Sequence, residues 1–190
     1  MNNKKLLAIL GSPHQNGAAA AMLGYAIQEA KRKGWSVDRV NLYEKNLAFC
    51  NGCRTCIRTG ACIQKDDIAE ISQLLKSCDM VVLAAPTYWA NVPAIVKNMF
   101  DRLLGTVMEE TEMFPKPRLS AKQRYVLLTA CNTPYPFSFL CGQSSGAIRS
   151  MKEFFKTAGM KYAGKFVLAN TKKNFELSKR VKQKISRYFM

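Results

Sequence analysis

This chain of 190 residues has a single histidine, His14. With no second histidine there is no Ser-His or Cys-His hydrolytic pair away from His14 and no histidine-built metal site. Acidic residues are also scarce, 13 against 29 Lys and Arg, for a formal charge of +16. Long apolar runs are missing. The one near the start, Leu6 to Leu10, is too short for a signal-peptide core or a membrane span and gives way to Gly11-Ser12-Pro13. The expectation is a cytoplasmic protein with no membrane partner. No Gly-Lys-Ser/Thr ends a phosphate loop of the Walker type, and no Gly-x-Gly-x-x-Gly marks a dinucleotide fold. Internal repeats, low-complexity tracts and linkers are lacking, so residues 1–190 are expected to form one domain.

What is present begins with a composition that is 48% hydrophobic and 22% charged, enough apolar surface to bury a core. The surplus of positive charge creates a field that attracts polyanions or acidic proteins. Basic residues crowd Lys172 to Arg187, where Leu177, Val181 and Ile185 recur every four residues like the buried stripe of a docked helix. No helix-turn-helix, zinc-finger or RNP-like pattern accompanies the charge, so nucleic acid is not the expected partner.

The order of elements is legible from period and punctuation. Apolar runs of strand length occupy Lys5–Leu10, Met80–Ala85 and Arg124–Cys131, with further strands expected at Trp35–Leu42 and Tyr162–Ala169. Helical patterns fill Gly17–Lys33, closed by Gly34, and the stretch from Asp66-Asp67 to Ser77, whose carboxylates suit a helix N-terminus. Others cover Val92–Leu104, with Pro93 in its first turn, and Gly146–Thr157, before the closing basic helix. Alternating strands and helices predict an α/β fold, a doubly wound parallel sheet with helices on both faces. Thr106 to Ala121, with two prolines and an acidic patch, breaks the rule of short connections and reads as a lid, a partner contact or an irregular crossover.

In a doubly wound sheet ligands bind beyond the carboxyl ends of strands, where the strand order reverses. For a five-stranded order 2-1-3-4-5 that point lies between the first and third strands. The first loop there, Gly11-Ser12-Pro13-His14-Gln15-Asn16-Gly17, leaves a buried strand and enters a helix N-terminus, which favours a phosphate. The second, Pro86-Thr87-Tyr88-Trp89-Ala90-Asn91, offers two adjacent aromatics and backbone groups suited to a flat heteroaromatic ring. Cys131-Asn132-Thr133-Pro134 borders the same crevice. Each loop alone also fits an ordinary turn; together they favour a ligand with a ring and a phosphate.

Seven cysteines, an odd number, argue against a disulfide framework in a reducing compartment. Four are clustered in a loop at about residues 47–65, as Cys50, Cys53, Cys56 and Cys62. Thiolates so spaced suit an iron-sulfur cluster. Four inert thiols, a zinc site or a redox-active pair activated by Arg54 and Arg58 remain alternatives.

These residues carry a resemblance. Gly11-Ser12-Pro13 with Asn16-Gly17, the spaced cysteines, Asp66-Asp67, Pro86-Thr87-Tyr88-Trp89, and Lys97 through Asp101-Arg102 make the chain similar, nearly end to end, to the iron-sulfur flavoproteins of the NADPH-dependent FMN reductase group in the flavodoxin superfamily. The resemblance implies a flavodoxin-like fold that binds FMN. Its phosphate would lie at Ser12, His14, Asn16, Gly17, Ala18 and Ala19, its ring against Pro86, Thr87, Tyr88, Trp89, Ala90 and Asn91, and Cys131, Asn132 and Thr133 alongside. It further implies a [4Fe-4S] cluster on Cys50, Cys53, Cys56 and Cys62, NAD(P)H as an electron donor, and assembly as a homodimer or tetramer. The positive surface would then steer an acidic carrier such as ferredoxin. One departure is Ala18-Ala19-Ala20, where relatives commonly carry a hydroxyl pair; phosphate would depend on backbone amides and Ser12, and FMN retention is expected to be weak.

Overall fold

A computed structural model describes residues 4–172 and 176–190. Residues 173–175, part of the basic segment singled out above, lie outside them. The chain alternates strand and helix from the start: β1 (Lys5–Leu10), α1 (Ala18–Arg32), β2 (Ser36–Asn41), then the cysteine loop carrying a short helix α2 (Thr55–Thr59). Next come α3 (Ile68–Ser77), β3 (Met80–Pro86), α4 (Ala94–Arg102), α5 (Leu104–Val107) and a small ribbon, β4 (Met108–Glu109) with β5 (Lys116–Pro117). β6 (Arg124–Cys131), α6 (Phe137–Leu140), α7 (Gln143–Thr157), β7 (Lys161–Ala169) and α8 (Lys179–Ser186) complete the order.

Five strands form one parallel sheet in the order β2-β1-β3-β6-β7. With the β4-β5 ribbon set apart, this is the flavodoxin-like order 2-1-3-4-5. Successive strand side chains point to opposite faces, so a continuous apolar run feeds two cores at once. Leu7, Ile9, Val81, Leu83 and Leu127 meet Ile71 and Leu75 of α3, Val96 of α4, and Met151 and Phe155 of α7. On the other face Leu6, Ala8, Leu10, Val82 and Leu128 meet Met22, Leu23 and Ala26 of α1 and Val181 and Ile185 of α8. Of the expected stripe, Val181 and Ile185 are buried in α8 while Leu177, half-buried, precedes the helix, and Lys179, Arg180, Lys182 and Lys184 are exposed on its outer side.

Boundaries differ in three informative places. The helix expected over Val92–Leu104 breaks at Leu103 into α4 and α5, and Pro93 stands at the cap of α4 rather than inside its first turn. α7 begins at Gln143, so Gly146 lies inside its first turn instead of opening it. Thr106–Ala121 is an ordered connection: the antiparallel β4-β5 ribbon, from whose end Arg118 donates to the carbonyls of Gly105 at 2.9 Å and Ile57 at 3.0 Å and so braces α2. Among the described residues no helix is long and apolar enough to cross a membrane.

Candidate cofactor crevice and cysteine loop

The carboxyl ends of β1 and β3 open into a cavity of about 320 Å³. It is lined by Ser12, His14, Gly17, Ala18, Ala19, Pro86, Thr87, Tyr88, Ala130, Asn132 and Thr171. Ser12 is buried at 3% exposure, with its Oγ accepting from the His14 amide at 3.2 Å. Gly11 must be glycine for want of room, since a Cβ there would stand 2.2 Å from Cγ2 of Val96 in α4. Gly17 caps α1 in an extended conformation without a side-chain hydrogen bond. The first-turn amides of Ala18, Ala19 and Ala20, which have no partner one turn earlier, therefore depend on something outside the helix. Positive helix-dipole potential at this end makes an anion the natural partner.

The opposite lip is a two-residue turn. Tyr88 and Asn91 exchange both backbone bonds, Tyr88 N to Asn91 O at 2.8 Å and Asn91 N to Tyr88 O at 2.9 Å. Trp89 and Ala90 between them hold positive φ of 50° and 58°. This geometry is normally filled by Asn and Gly, and non-glycine residues held there mark strain that often accompanies a functional site. The turn's own bonds leave the amides of Trp89 and Ala90 at its tip. Tyr88, 40% exposed, lines the crevice, whereas Trp89, 101% exposed, stands on the open surface outside its lining; neither is a core residue.

Of the other residues expected in this region, Asn16 is exposed on the first loop and Cys131 is buried, its Sγ donating to Oε1 of Gln143 at 3.6 Å. Thr133 bonds the same Gln143 oxygen, which positions the third loop on α7. Ala90 and Asn91 line a second cavity of about 510 Å³ between α4 and α7, with Phe100 and Phe154 in its wall. That cavity is larger and carries Lys97 and Arg149 beside Asp101 and Glu153, while the uncapped helix start belongs to the smaller one. Ala130 and Thr171 were not foreseen. Thr171 follows the end of β7 and donates to Oδ1 of Asn132 at 3.0 Å; the expected strand ending at Ala169 was the signal that could have placed it.

The cysteine loop lies against α4. Cys50 and Cys53 are exposed, Cys56 and Cys62 half-buried, and all four thiols are free. The backbone amide of Thr55, then its hydroxyl, hold the Cys53 thiol below the usual range. Among the described residues no three His, Cys, Asp or Glu side chains are gathered around one point. The donor set, four free thiols on one loop, fits an iron-sulfur cluster; their positions are not drawn to a common centre.

Behind the loop lies a buried ion pair. Arg102 donates to Asp66 with both terminal nitrogens at 2.8 Å, its side chain fully buried and that of Asp66 only 7% exposed. Burial pushes the Asp66 carboxyl up, but the Arg102 hydrogen bonds, the amides of Ile68 and Ala48 and the guanidinium charge outweigh it and hold the group below the usual carboxylate range. The expected role of Asp66 and Asp67 at the start of α3 is thus divided. Asp66 accepts from the Ile68 amide at 3.1 Å, while Asp67, the cap residue, makes no side-chain cap and instead accepts from the Asn46 amide at 2.8 Å.

The model of the family described as NADPH-dependent FMN reductase matches residues 4–134. The chain belongs to that family. Among curated relatives, an iron-sulfur flavoprotein of Archaeoglobus fulgidus is 41% identical over 100 residues, covering 53% of this chain and 46% of that protein. One from Methanosarcina thermophila is 34% identical over 98 residues, covering 52% and 51%. The chain thus spans about half the length of the curated relatives it matches. In solved structures the fold recurs in an FMN-dependent NADH-azoreductase from Bacillus anthracis in complex with FMN, with TM-score 0.72, 16% identity, and 98% of this chain and 95% of that one covered. It recurs also in an NAD(P)H:quinone oxidoreductase from Methanothermobacter marburgensis, with TM-score 0.71, 14% identity and coverage of 98% and 96%.

Proposed function

We propose that the chain is an FMN-dependent oxidoreductase that passes electrons between NAD(P)H or a reduced carrier and an acceptor, with a [4Fe-4S] cluster held by Cys50, Cys53, Cys56 and Cys62. The observation that carries the flavin reading is the pairing, across one cavity, of an uncapped helix start at Gly17 with Pro86, Thr87 and Tyr88, which lead into the positive-φ turn. When bound, FMN supplies the redox chemistry at its ring, and a cluster handles electrons singly. Ser12 and the first-turn amides of α1 hold the phosphate. Pro86, Thr87 and Tyr88 form the wall for the ring, and the amides of Trp89 and Ala90 offer donors at its edge. Asn132, fixed by Thr171, closes the third side.

Support for the cluster comes from the four-thiol donor set and from relatives that are named iron-sulfur flavoproteins. A second reading, an NAD(P)H-dependent reductase of flavins, quinones or nitroaromatics with no cluster, is favoured by the ungathered thiols. Anaerobic purification decides between them. The cluster reading expects visible charge-transfer absorption and about four irons per chain; flavin-dependent turnover of NAD(P)H without iron supports the second. Excess FMN that never binds would sink both, and a colourless protein binding DNA with steep salt dependence would instead mark a nonenzymatic basic module. We further propose an acidic electron carrier such as ferredoxin as partner, supported by the +16 charge, and, from the resemblance to the family, homodimeric or tetrameric assembly. The expected result is a turnover rate with reduced carrier that falls steeply with salt.

A further inference from the structure

Two buried polar residues of α4 have no part in the flavin crevice. Asn98 is 4% exposed and Arg102 1%. Standing four residues apart, they share one face of the helix, and both turn to the cysteine loop. Asn98 accepts from the Cys50 amide at 3.2 Å and donates to the carbonyls of Leu47 at 3.4 Å and Ala48 at 3.2 Å. Arg102 donates to Ala48 O at 2.5 Å, to Gln64 O at 3.5 Å, and through Nε to the sulfur of Cys62 at 3.2 Å, besides its pair with Asp66. One helix face thereby grips the loop where the chain enters it, Leu47 to Cys50, and where it leaves, Cys62 to Asp66.

Burying a guanidinium is costly, and an ion pair alone seldom repays it. Here every nitrogen of Arg102 finds an acceptor, and all of these acceptors lie at the two ends of the loop. The exposed turn Asn51–Arg54 has no comparable tie to α4, while α2 after it is held separately, by Arg118 and by the close approach of Cys56 to Gly105. The same helix presses Val96 against Gly11, so one rigid element touches both the phosphate loop and the cysteine loop.

We propose that Arg102 and Asn98 are positioning residues for the cysteine ligand set: they lock the two ends of the loop, leaving the exposed turn around Cys53 to close on iron, and Arg102 stabilises negative charge on the Cys62 sulfur. This rests on the cluster reading above. An N–H donor to a ligand sulfur favours the reduced, more negative state, as hydrogen bonds to cluster sulfurs do generally.

The test uses the full chain and two variants. Removing Arg102 alone would strand a buried carboxylate, so the first is the neutral pair Arg102→Met with Asp66→Asn; the second is Asn98→Ala. In metal-free protein, trypsin reports on the loop directly, because Arg54 and Arg58 lie inside it and are exposed. Both variants are expected to be cut there about tenfold faster than wild type, as local opening becomes easier, with the global unfolding transition still cooperative. Cutting at the wild-type rate in both overturns the clamp. After anaerobic loading with iron and sulfide, the Arg102→Met/Asp66→Asn protein is expected to favour the oxidised cluster by about tenfold, 59 mV for a one-electron couple, while Asn98→Ala keeps the wild-type potential. Equal shifts in both variants, or none in the first, overturn the role assigned to the Cys62 contact. If wild-type protein takes up no iron, the cluster reading falls, and the trypsin comparison still decides whether α4 clamps the loop.

Discussion

Gly146 in the first turn of α7 lies so close to Ala90 that a Cβ built on it would meet the Ala90 carbonyl oxygen at 2.0 Å. The obstacle is backbone, which cannot swing aside as a side chain does. Gly146→Ala is therefore expected to displace the Tyr88–Asn91 turn and to weaken FMN binding by at least about tenfold, ~1.4 kcal/mol. Titration of flavin fluorescence against the folded variant measures this, and unchanged affinity would show that the turn does not contact the ring.

Ala90 holds φ of 58°, a conformation costing a non-glycine residue on the order of 1 kcal/mol. Ala90→Gly is expected to raise the thermal midpoint by about 2–4 °C for a chain of this size. A lower midpoint in calorimetry would mean that packing of the Ala90 methyl outweighs the strain.

Gly11→Ala forces a Cβ onto Val96, whose methyl sits 2.2 Å away. Overpacking of this kind costs about 1–3 kcal/mol. Because the clash is with a side chain, Val96→Ala should recover part of the loss, and a double-mutant cycle in denaturant should show coupling above about 0.5 kcal/mol. Strict additivity would refute the contact.

Asp66 titrates below the ordinary carboxylate range in the folded protein, as its pair with Arg102 requires. A depressed folded value gives stability that is complete above the unfolded value, about 3.9, and is lost as pH falls through the lower folded one. The acid limb of stability against pH should flatten in Asp66→Asn, which at neutral pH should cost about 3–5 kcal/mol for leaving Arg102 unpaired. An unchanged acid limb would refute this.

The thiols should differ in reactivity. Burial pushes Cys78 up to about 12, whereas exposed Cys53 is held low by Thr55. In metal-free protein at neutral pH iodoacetamide should modify Cys53 well before Cys78, as peptide mass mapping will report. Comparable rates would mean that Cys78 is reached through local opening.

Much of the fold was legible because buried parallel strands announce themselves. Arg124–Cys131 coincides with β6, and Met80–Ala85 falls one residue short of β3, since runs apolar on both faces leave little ambiguity. Helix ends were harder. Nothing local told that Val92–Leu104 breaks at Leu103, or that α7 begins before Gly146, because packing against neighbours sets such ends.

By itself the sequence determined the alternation of strands and helices, the two crevice loops and the four-thiol loop, all properties of neighbouring residues and their period. Only the tertiary structure decided that Trp89 and Ala90 occupy a strained turn, that Gly146 must leave room for it, that Thr171 joins the crevice, and that Arg102 reaches from α4 to Asp66 and Cys62. Those relationships link residues far apart in the chain, and they exist because a buried guanidinium, a carboxylate and a close backbone approach must each find a partner that local pattern does not name.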